Sequence, residues 1–99
     1  MPESNFHLAK LVERVNFTDD LAMFRFQPER EFSFKAGQYA TLAIEDGDKL
    51  IQRPYSIVSS PYESFLEFFV ELVPQGELTP RLWELKTGDY VLVRNRIVG

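Results

Sequence analysis

The stretch Arg53-Pro54-Tyr55-Ser56, which leads into the apolar pair Ile57-Val58, combines four different chemistries at the start of a predicted strand over residues 52–58. Arginine binds a pyrophosphate through paired hydrogen bonds and stays charged at any working pH. Tyrosine offers a flat ring for stacking, and a serine hydroxyl both donates and accepts hydrogen bonds. Proline lacks an N–H, which favours a sheet edge or a bend. The stretch therefore suits a flat cofactor that carries phosphate.

The same four residues also fit an ordinary strand start with an exposed arginine and a half-buried tyrosine. Taken alone, a short motif is more often of that kind. In an ideal strand Arg53 and Tyr55 share one face and Ser56 points away. One ligand can touch all three only if the strand twists or the ligand lies across its edge.

Outward from this stretch, most of the chain follows the period of two that is typical of strands. Besides residues 52–58, the pattern predicts strands over residues 6–15, 21–26, 39–44, 66–73 and 90–94. One short helix is predicted over residues 80–85, with Thr79 as N-cap, Pro80 at the first helical position and Gly88 just past the end. Six short strands with close turns and one helix indicate a small antiparallel barrel.

The segment Gly76-Glu77-Leu78-Thr79-Pro80 is a second candidate site. A glycine before a capped helix start offers backbone N–H groups and the positive end of the helix dipole, which suit a phosphate. Taken alone, an ordinary strand–turn–helix junction explains it better. Two phosphate-suited features in one small domain favour a nucleotide-like cofactor. A third segment, Phe34-Lys35-Ala36-Gly37-Gln38-Tyr39, is expected to be a structural bend before a strand.

Composition excludes several classes of function. At 99 residues the chain is expected to form one domain, and its 44% hydrophobic content argues against disorder. It has no cysteine, so neither disulfides nor thiolate chemistry are available, and no metal site is expected. The net charge of -4 argues against nonspecific nucleic-acid binding. Residues 1–5 do not resemble a signal peptide, and no apolar run is long enough for a membrane span, so a cytoplasmic protein is expected.

Three blocks in this order resemble the N-terminal FAD-binding domain of ferredoxin–NADP(+) reductases, most closely the bacterial type that works with ferredoxin or flavodoxin. Residues 34–39 match the family's glycine–glutamine strand entry, Arg53-Pro54-Tyr55-Ser56 matches its flavin signature, and residues 66–82 match its second flavin block. The resemblance covers nearly the whole chain. It implies an all-β fold, a six-stranded antiparallel Greek-key β-barrel with one short α-helix.

The resemblance also implies roles for individual residues. Arg53 would pair with the FAD pyrophosphate, Tyr55 would stack on the isoalloxazine ring, and Ser56 would approach flavin N5, where hydride arrives. Tyr55 and Ser56 are thus the implied catalytic residues. Phe69, Val70, Glu71 and Leu72 would line the edge of the ring, and Glu77, Leu78 and Thr79 would hold phosphate and ribitol groups at the helix start. Pro54 and Gly76 are also implied as cofactor contacts.

The implied reaction is hydride exchange with NADP(H) coupled to one-electron exchange with ferredoxin or flavodoxin. In the family a nucleotide-binding domain follows at about the point where this chain stops. No glycine-rich strand-to-helix fingerprint is present here, so the NADP-binding domain is expected to be absent from the chain. The isolated 99 residues are expected to be inactive alone and to hold FAD weakly. Two alternatives stay open: the FAD domain of another flavin reductase or oxygenase reductase component, and a non-enzymatic barrel that binds a different ligand.

Overall fold

The computed structural model describes residues 5–99, and this part of the chain forms six strands and one short helix. In chain order they are β1 (Phe6–Asn16), β2 (Leu21–Pro28), β3 (Tyr39–Asp46), β4 (Lys49–Ser56), β5 (Leu66–Glu71), α1 (Thr79–Trp83) and β6 (Tyr90–Arg94). The strands make one antiparallel sheet in the order β4-β3-β6-β1-β2-β5. The predicted all-β, six-stranded antiparallel fold with one helix is confirmed.

The strand order brings distant parts of the chain together in a Greek-key arrangement. β1–β2 and β3–β4 are hairpins, and β6 returns from the end of the chain to lie between them. The sheet then curls into a half-barrel, so that its two edge strands, β4 and β5, approach each other. Just beyond β4, the Ile57 N–H donates to the Gln38 carbonyl (3.0 Å), whereas the next N–H, of Val58, donates to the Glu67 carbonyl in β5 (2.9 Å). The chain thus passes from its β3 partner to β5 within one residue.

The interior of the half-barrel is filled by the inward face of each strand. Phe24 and Phe26 on β2 share that face, as the alternation predicts, and their rings stack at 6.2 Å with both side chains fully buried. Phe68 on β5 packs against Phe26 at 6.2 Å. Full burial of one such side chain stabilises the fold by roughly 1.5–3 kcal/mol.

The short helix closes one end of this core. Leu78 and Leu82 are buried, and Trp83 packs on Phe24 with ring centroids 5.4 Å apart. Arg14 of β1 donates from Nη1 to the Trp83 carbonyl at 2.9 Å, which holds the helix end against the sheet. The predicted inward packing of residues 82, 83 and 85 is confirmed, since the last two are partly buried against the same core.

β1, β2 and β3 end one or two residues later than predicted, at Asn16, Pro28 and Asp46, and the bounds of β4, β5 and α1 also differ from the sequence-based predictions. β4 begins at Lys49 and ends at Ser56, because Gly47 (φ 66°) and Asp48 form a tight two-residue turn that keeps Asp46 and Lys49 paired. β5 ends at Glu71, two residues earlier than predicted. The helix covers Thr79–Trp83, and its N-cap is Leu78, without a side-chain capping bond.

Two sequence-based expectations concern the cell rather than the fold. No helix within residues 5–99 is both long and apolar enough to cross a membrane. The expectation that residues 1–5 are not a signal peptide concerns a segment whose first four residues lie outside the part that the structure describes.

Candidate functional site

A pocket of about 290 Å³ lies between the end of β4 and the loop that leads into α1. It joins the first two candidate segments of the sequence analysis, residues 53–56 and 76–80, which are about twenty residues apart in the chain. The lining residues are Arg53, Pro54, Tyr55, Val73, Gly76, Glu77, Leu78 and Thr79. All of them except Val73 were predicted to contact a cofactor.

The alternation of β4 aims Arg53 and Tyr55 at this pocket. Ile51, Arg53 and Tyr55 lie on the same face of the strand, and Ile51 is buried in the core. Two residues on, the Arg53 side chain is half-exposed, and its Nη1 donates to the Gln52 carbonyl at 2.7 Å. Arg53 therefore carries its charge at the rim, where the core face opens to solvent.

Tyr55 is half-buried and presents a ring whose position is fixed by the core. Its ring meets the fully buried Phe68 of β5 edge-on, with centroids 6.4 Å apart and planes at 66°. Burial raises the pKa of the Tyr55 phenol, with a smaller opposing effect from the Arg53 charge. The side chain is thus a neutral, flat surface at physiological pH.

Ser56 does not line the pocket. It is exposed and pairs with Tyr39 at the end of β4, on the face opposite to Arg53 and Tyr55. However, β4 is an edge strand of the sheet. A ligand that crosses this edge could meet both faces, so the proposed contact of Ser56 stays a prediction.

Hydrogen bonds between Val73 and Thr79 close the loop between β5 and α1. Thr79 Oγ1 accepts a hydrogen bond from the Val73 N–H (2.8 Å) and donates one to the Val73 carbonyl (3.1 Å). The prediction of Thr79 as N-cap is wrong, because its hydroxyl is used by Val73 and it lies inside the helix. The Gly76 N–H also donates to the Val73 carbonyl, at 2.8 Å. A Cβ at Gly76 would lie 3.1 Å from that carbonyl oxygen, so this turn favours glycine.

The electrostatics of the pocket come from side chains more than from the helix. Five residues make about one and a half turns, which gives only a short helix dipole. Glu77 accepts a hydrogen bond from Lys49 Nζ, and its other carboxylate oxygen lies 3.7 Å from Arg53 Nη2. Arg81 pairs with Asp46 at 2.6 Å and donates to the Glu77 carbonyl. The Lys49 hydrogen bond and charge, with Arg53 and Arg81 adding less, hold the pKa of Glu77 below its usual value.

The predicted residues on β5 lie outside this pocket. Val70 is buried in the core, and Phe69 is half-exposed with its ring 5.8 Å from that of Phe17. The Glu67 N–H and carbonyl bond to Ser59 and Val58 rather than to β2. By the period of two, Phe69 and Glu71 direct their backbone groups to the same free edge of β5, which faces Tyr55. A ligand ring stacked on Tyr55 can therefore form hydrogen bonds with the backbone at this edge of β5.

A second depression, of about 390 Å³, is larger but contains none of the predicted residues. It is lined by residues 27–33 and 62–64, which include Glu29, Glu31 and Glu63 beside a single arginine. This acidic lining is unsuited to phosphate groups. The smaller pocket at β4 is thus the stronger candidate on chemical grounds.

The sequence analysis missed Lys49, Arg81 and Val73. The dipeptide Gly47-Asp48 between alternating runs was a usable hairpin signal, and it would have placed Lys49 on the same face as Arg53. No local signal pairs Lys49 with Glu77 or Arg81 with Asp46, because these partners are 28 and 35 residues apart. Only the curl of the sheet brings them together.

The pocket combines a half-exposed guanidinium, a fixed aromatic ring and a tight loop with backbone N–H groups. Such a set binds a flat ring system joined to an anionic group. It provides no nucleophile–base pair: Tyr55 stays a neutral phenol, and Glu77 is an ion-paired carboxylate.

Comparison with known proteins agrees with this chemistry. Residues 8–97 match the oxidoreductase FAD-binding domain family. The chain is 46% identical over 91 residues to the flavodoxin/ferredoxin–NADP reductase of Escherichia coli and 35% identical over 96 residues to the ferredoxin–NADP reductase of Pseudomonas aeruginosa. These matches cover 91% and 97% of the chain but only 36% and 37% of the two relatives.

A solved structure shows the same fold with the cofactor in place. The ferredoxin NADP+ reductase of Neisseria gonorrhoeae, with bound FAD and NADP, superposes with a TM-score of 0.91 at 29% identity. The alignment covers 96% of this chain and 39% of that one. The chain belongs to the oxidoreductase FAD-binding domain family, in the form found in ferredoxin–NADP reductases, and FAD is the cofactor of that family.

Proposed function

We propose that this chain holds FAD for a reductase that exchanges electrons between NADP(H) and ferredoxin or flavodoxin. One observation carries the proposal: Arg53 and Tyr55 line a single pocket together with the Gly76–Thr79 loop. The phosphate-suited groups and the ring-suited group are therefore adjacent, as a dinucleotide with a flat ring requires.

The residues present fit FAD on chemical grounds. Arg53 is close enough to the pocket to pair with a pyrophosphate, and its half-exposed guanidinium keeps donors available. At the start of α1 the backbone N–H groups of Leu78 and Thr79 are left without intrahelical partners, and with the Glu77 N–H of the preceding loop they supply further donors. Tyr55, held edge-on by Phe68, offers a ring face on which an isoalloxazine ring can stack.

Ser56 and the edge of β5 complete the proposed ring site. Ser56 follows Tyr55 at the end of an edge strand, where its exposed hydroxyl can reach a ring that crosses the edge. On the other side, Phe69, Val70, Glu71 and Leu72 form or follow the last part of β5, and we assign them to the ring's edge, Phe69 and Glu71 through their backbone groups at the free edge of the strand. The protein's task is to orient the ring and to shield one of its faces from water.

FAD supplies the redox chemistry when bound, accepting two electrons with a hydride and passing electrons on one at a time. The chain spans a little over a third of the length of the curated relatives it matches. We place NADP(H) binding on a separate domain outside the 99 residues, because they contain no glycine-rich fingerprint.

Two alternatives remain for the same pocket. A flavin reductase or the reductase component of an oxygenase would use the same FAD domain with a different electron acceptor. The ferredoxin–NADP type is favoured because both curated relatives described above carry that name. The second alternative, a non-enzymatic barrel that binds a different ligand, would bind no flavin.

A titration of the purified 99-residue chain tests the proposal. Added FAD should lose fluorescence as it stacks on Tyr55 and should co-elute with the protein. In a separate competition, added AMP should not displace riboflavin, the neutral flavin without phosphate. An NADPH oxidation assay with saturating FAD should show no turnover. Absence of flavin binding would overturn the cofactor assignment, and full turnover would overturn the placement of NADP(H) on another domain.

A further inference from the structure

The Glu77 carboxylate lies in the part of the pocket where an anionic ligand is expected. One of its oxygens accepts a hydrogen bond from Lys49, and the other lies 3.7 Å from the Arg53 guanidinium. Glu77 itself lines the pocket beside Arg53. A protein carboxylate therefore contacts the two cations of β4 that are best placed for a phosphate.

We propose that Glu77 is an internal competitor for the diphosphate of FAD, which must displace its carboxylate from Arg53 and Lys49. The inference rests on the proposed function, and it assigns Glu77 a further role in the same site, that of weakening the binding of anionic ligands. Glu77 makes the domain bind diphosphate-bearing flavins less tightly than its cations alone would, while it leaves neutral flavins unaffected.

The contacts of Glu77 are suited to exchange. The Lys49, Arg53 and Glu77 side chains are all about half-exposed, and ion pairs at such positions contribute little net stability. A ligand phosphate can therefore replace the carboxylate without a large loss. Both Lys49 and Arg53 regain a partner of the same charge when this happens.

The backbone of Glu77 is held independently of its carboxylate. Arg81 donates to the Glu77 carbonyl, and the same guanidinium pairs with Asp46 at 2.6 Å. The Glu77 side chain can thus rotate away while the loop, with its backbone donors, keeps its shape. This separation distinguishes a competing side chain from a structural ion pair, whose loss would disturb the loop.

Charge balance gives the direction of the effect. The cluster of Lys49, Arg53 and Arg81 with Asp46 and Glu77 carries three positive and two negative formal charges, a net of +1. Replacing Glu77 by glutamine raises the net charge to +2, the full complement for a diphosphate. The local field then favours the anion more strongly.

The test compares FAD and riboflavin binding to the full 99-residue chain and to Glu77→Gln, by quenching of flavin fluorescence at low ionic strength. We expect the Kd for FAD to fall about threefold to fivefold in the variant, with riboflavin unchanged, as loss of exposed ion pairs predicts. The gain should shrink at high salt. The matched control is Glu84→Gln, which removes the same charge from the exposed far end of α1 and should leave FAD affinity unchanged.

A second variant keeps the test decisive. Glu77→Asp retains the charge on a side chain one methylene shorter and should give an intermediate FAD affinity. Weaker or unchanged FAD binding in Glu77→Gln would overturn the proposal and assign Glu77 an orienting role for Arg53. If the unmodified chain binds no flavin at all, the proposed function fails, and the competitor role fails with it.

Discussion

The Thr79 hydroxyl and the Val73 backbone are joined by two hydrogen bonds of opposite direction. Thr79 Oγ1 accepts from the Val73 N–H at 2.8 Å and donates to the Val73 carbonyl at 3.1 Å. Thr79 is only 7% exposed, so water does not readily replace either bond. The pair closes the loop between β5 and α1 and fixes the wall of the pocket opposite Arg53.

Replacing Thr79 by valine should destabilise the protein and loosen this wall. The Val73 N–H and carbonyl both lose their bonds to the Thr79 hydroxyl in a partly buried setting, and each such bond contributes about 0.5–1.5 kcal/mol. Urea unfolding measures the loss of stability, and a flavin titration should show weaker FAD binding. Thr79→Ser keeps the hydroxyl and should retain most of both properties. Equal stability of the valine and serine variants would contradict the structural role of the hydroxyl.

Replacing Arg53 by alanine should separate FAD from riboflavin. Only FAD brings a pyrophosphate, and loss of charge-assisted hydrogen bonds should weaken its binding by about tenfold to a hundredfold. Riboflavin affinity should change little. Arg96→Ala, which removes an exposed arginine outside the pocket, serves as the control. An equal loss for both flavins would show that Arg53 does not contact the pyrophosphate.

Replacing Tyr55 should affect both flavins alike. Tyr55→Phe keeps the ring and its edge-on packing against Phe68, so flavin affinity should stay nearly the same. Tyr55→Ala removes the stacking surface and should weaken FAD and riboflavin by about tenfold, given roughly 1–3 kcal/mol for ring stacking. Circular dichroism and the unfolding midpoint show whether the alanine variant is folded. A loss confined to FAD would place the ring elsewhere.

The stability of the protein should fall as the solution becomes mildly acidic, because of His7. Its ring is buried against Phe32 (4.9 Å) and bonds to Asn95 through Nδ1 (2.8 Å). Burial lowers the pKa of His7 below 6.5; the Asn95 bond opposes this, and the Arg30 charge adds to it. As the pH falls, His7 therefore takes up a proton in the unfolded chain before it does so in the folded protein. The contribution of neutral His7 to stability is thus fully present above pH 6.5 and declines as the pH drops through the folded-state pKa.

Urea unfolding at about pH 7.5 and 5.5 measures this dependence, within the range in which histidine titrates. His7→Phe keeps a ring beside Phe32 but cannot titrate, so its free energy of unfolding should change less between the two pH values. A decline of the same size in the variant would assign the pH dependence to other groups.

Local sequence determined the strands and the content of the site. The period of two placed Phe24 and Phe26 on one inward face, and the spacing within Arg53-Pro54-Tyr55-Ser56 predicted which of its side chains share a face. These properties depend on neighbouring residues along the strand, so they can be read without knowledge of the fold. The order of the motifs was likewise sufficient to indicate the family.

Tertiary structure decided how the site is assembled. The Thr79 hydroxyl, predicted as a helix cap, bonds to Val73, and the charge of Arg53 is shared with Glu77. Both outcomes depend on the curl of the sheet, which brings the end of β4 against β5 and the loop before α1. Sequence alone showed which chemical groups this protein possesses; the closing of the half-barrel decided which of them meet, because contacts between distant segments are set by the path of the whole sheet.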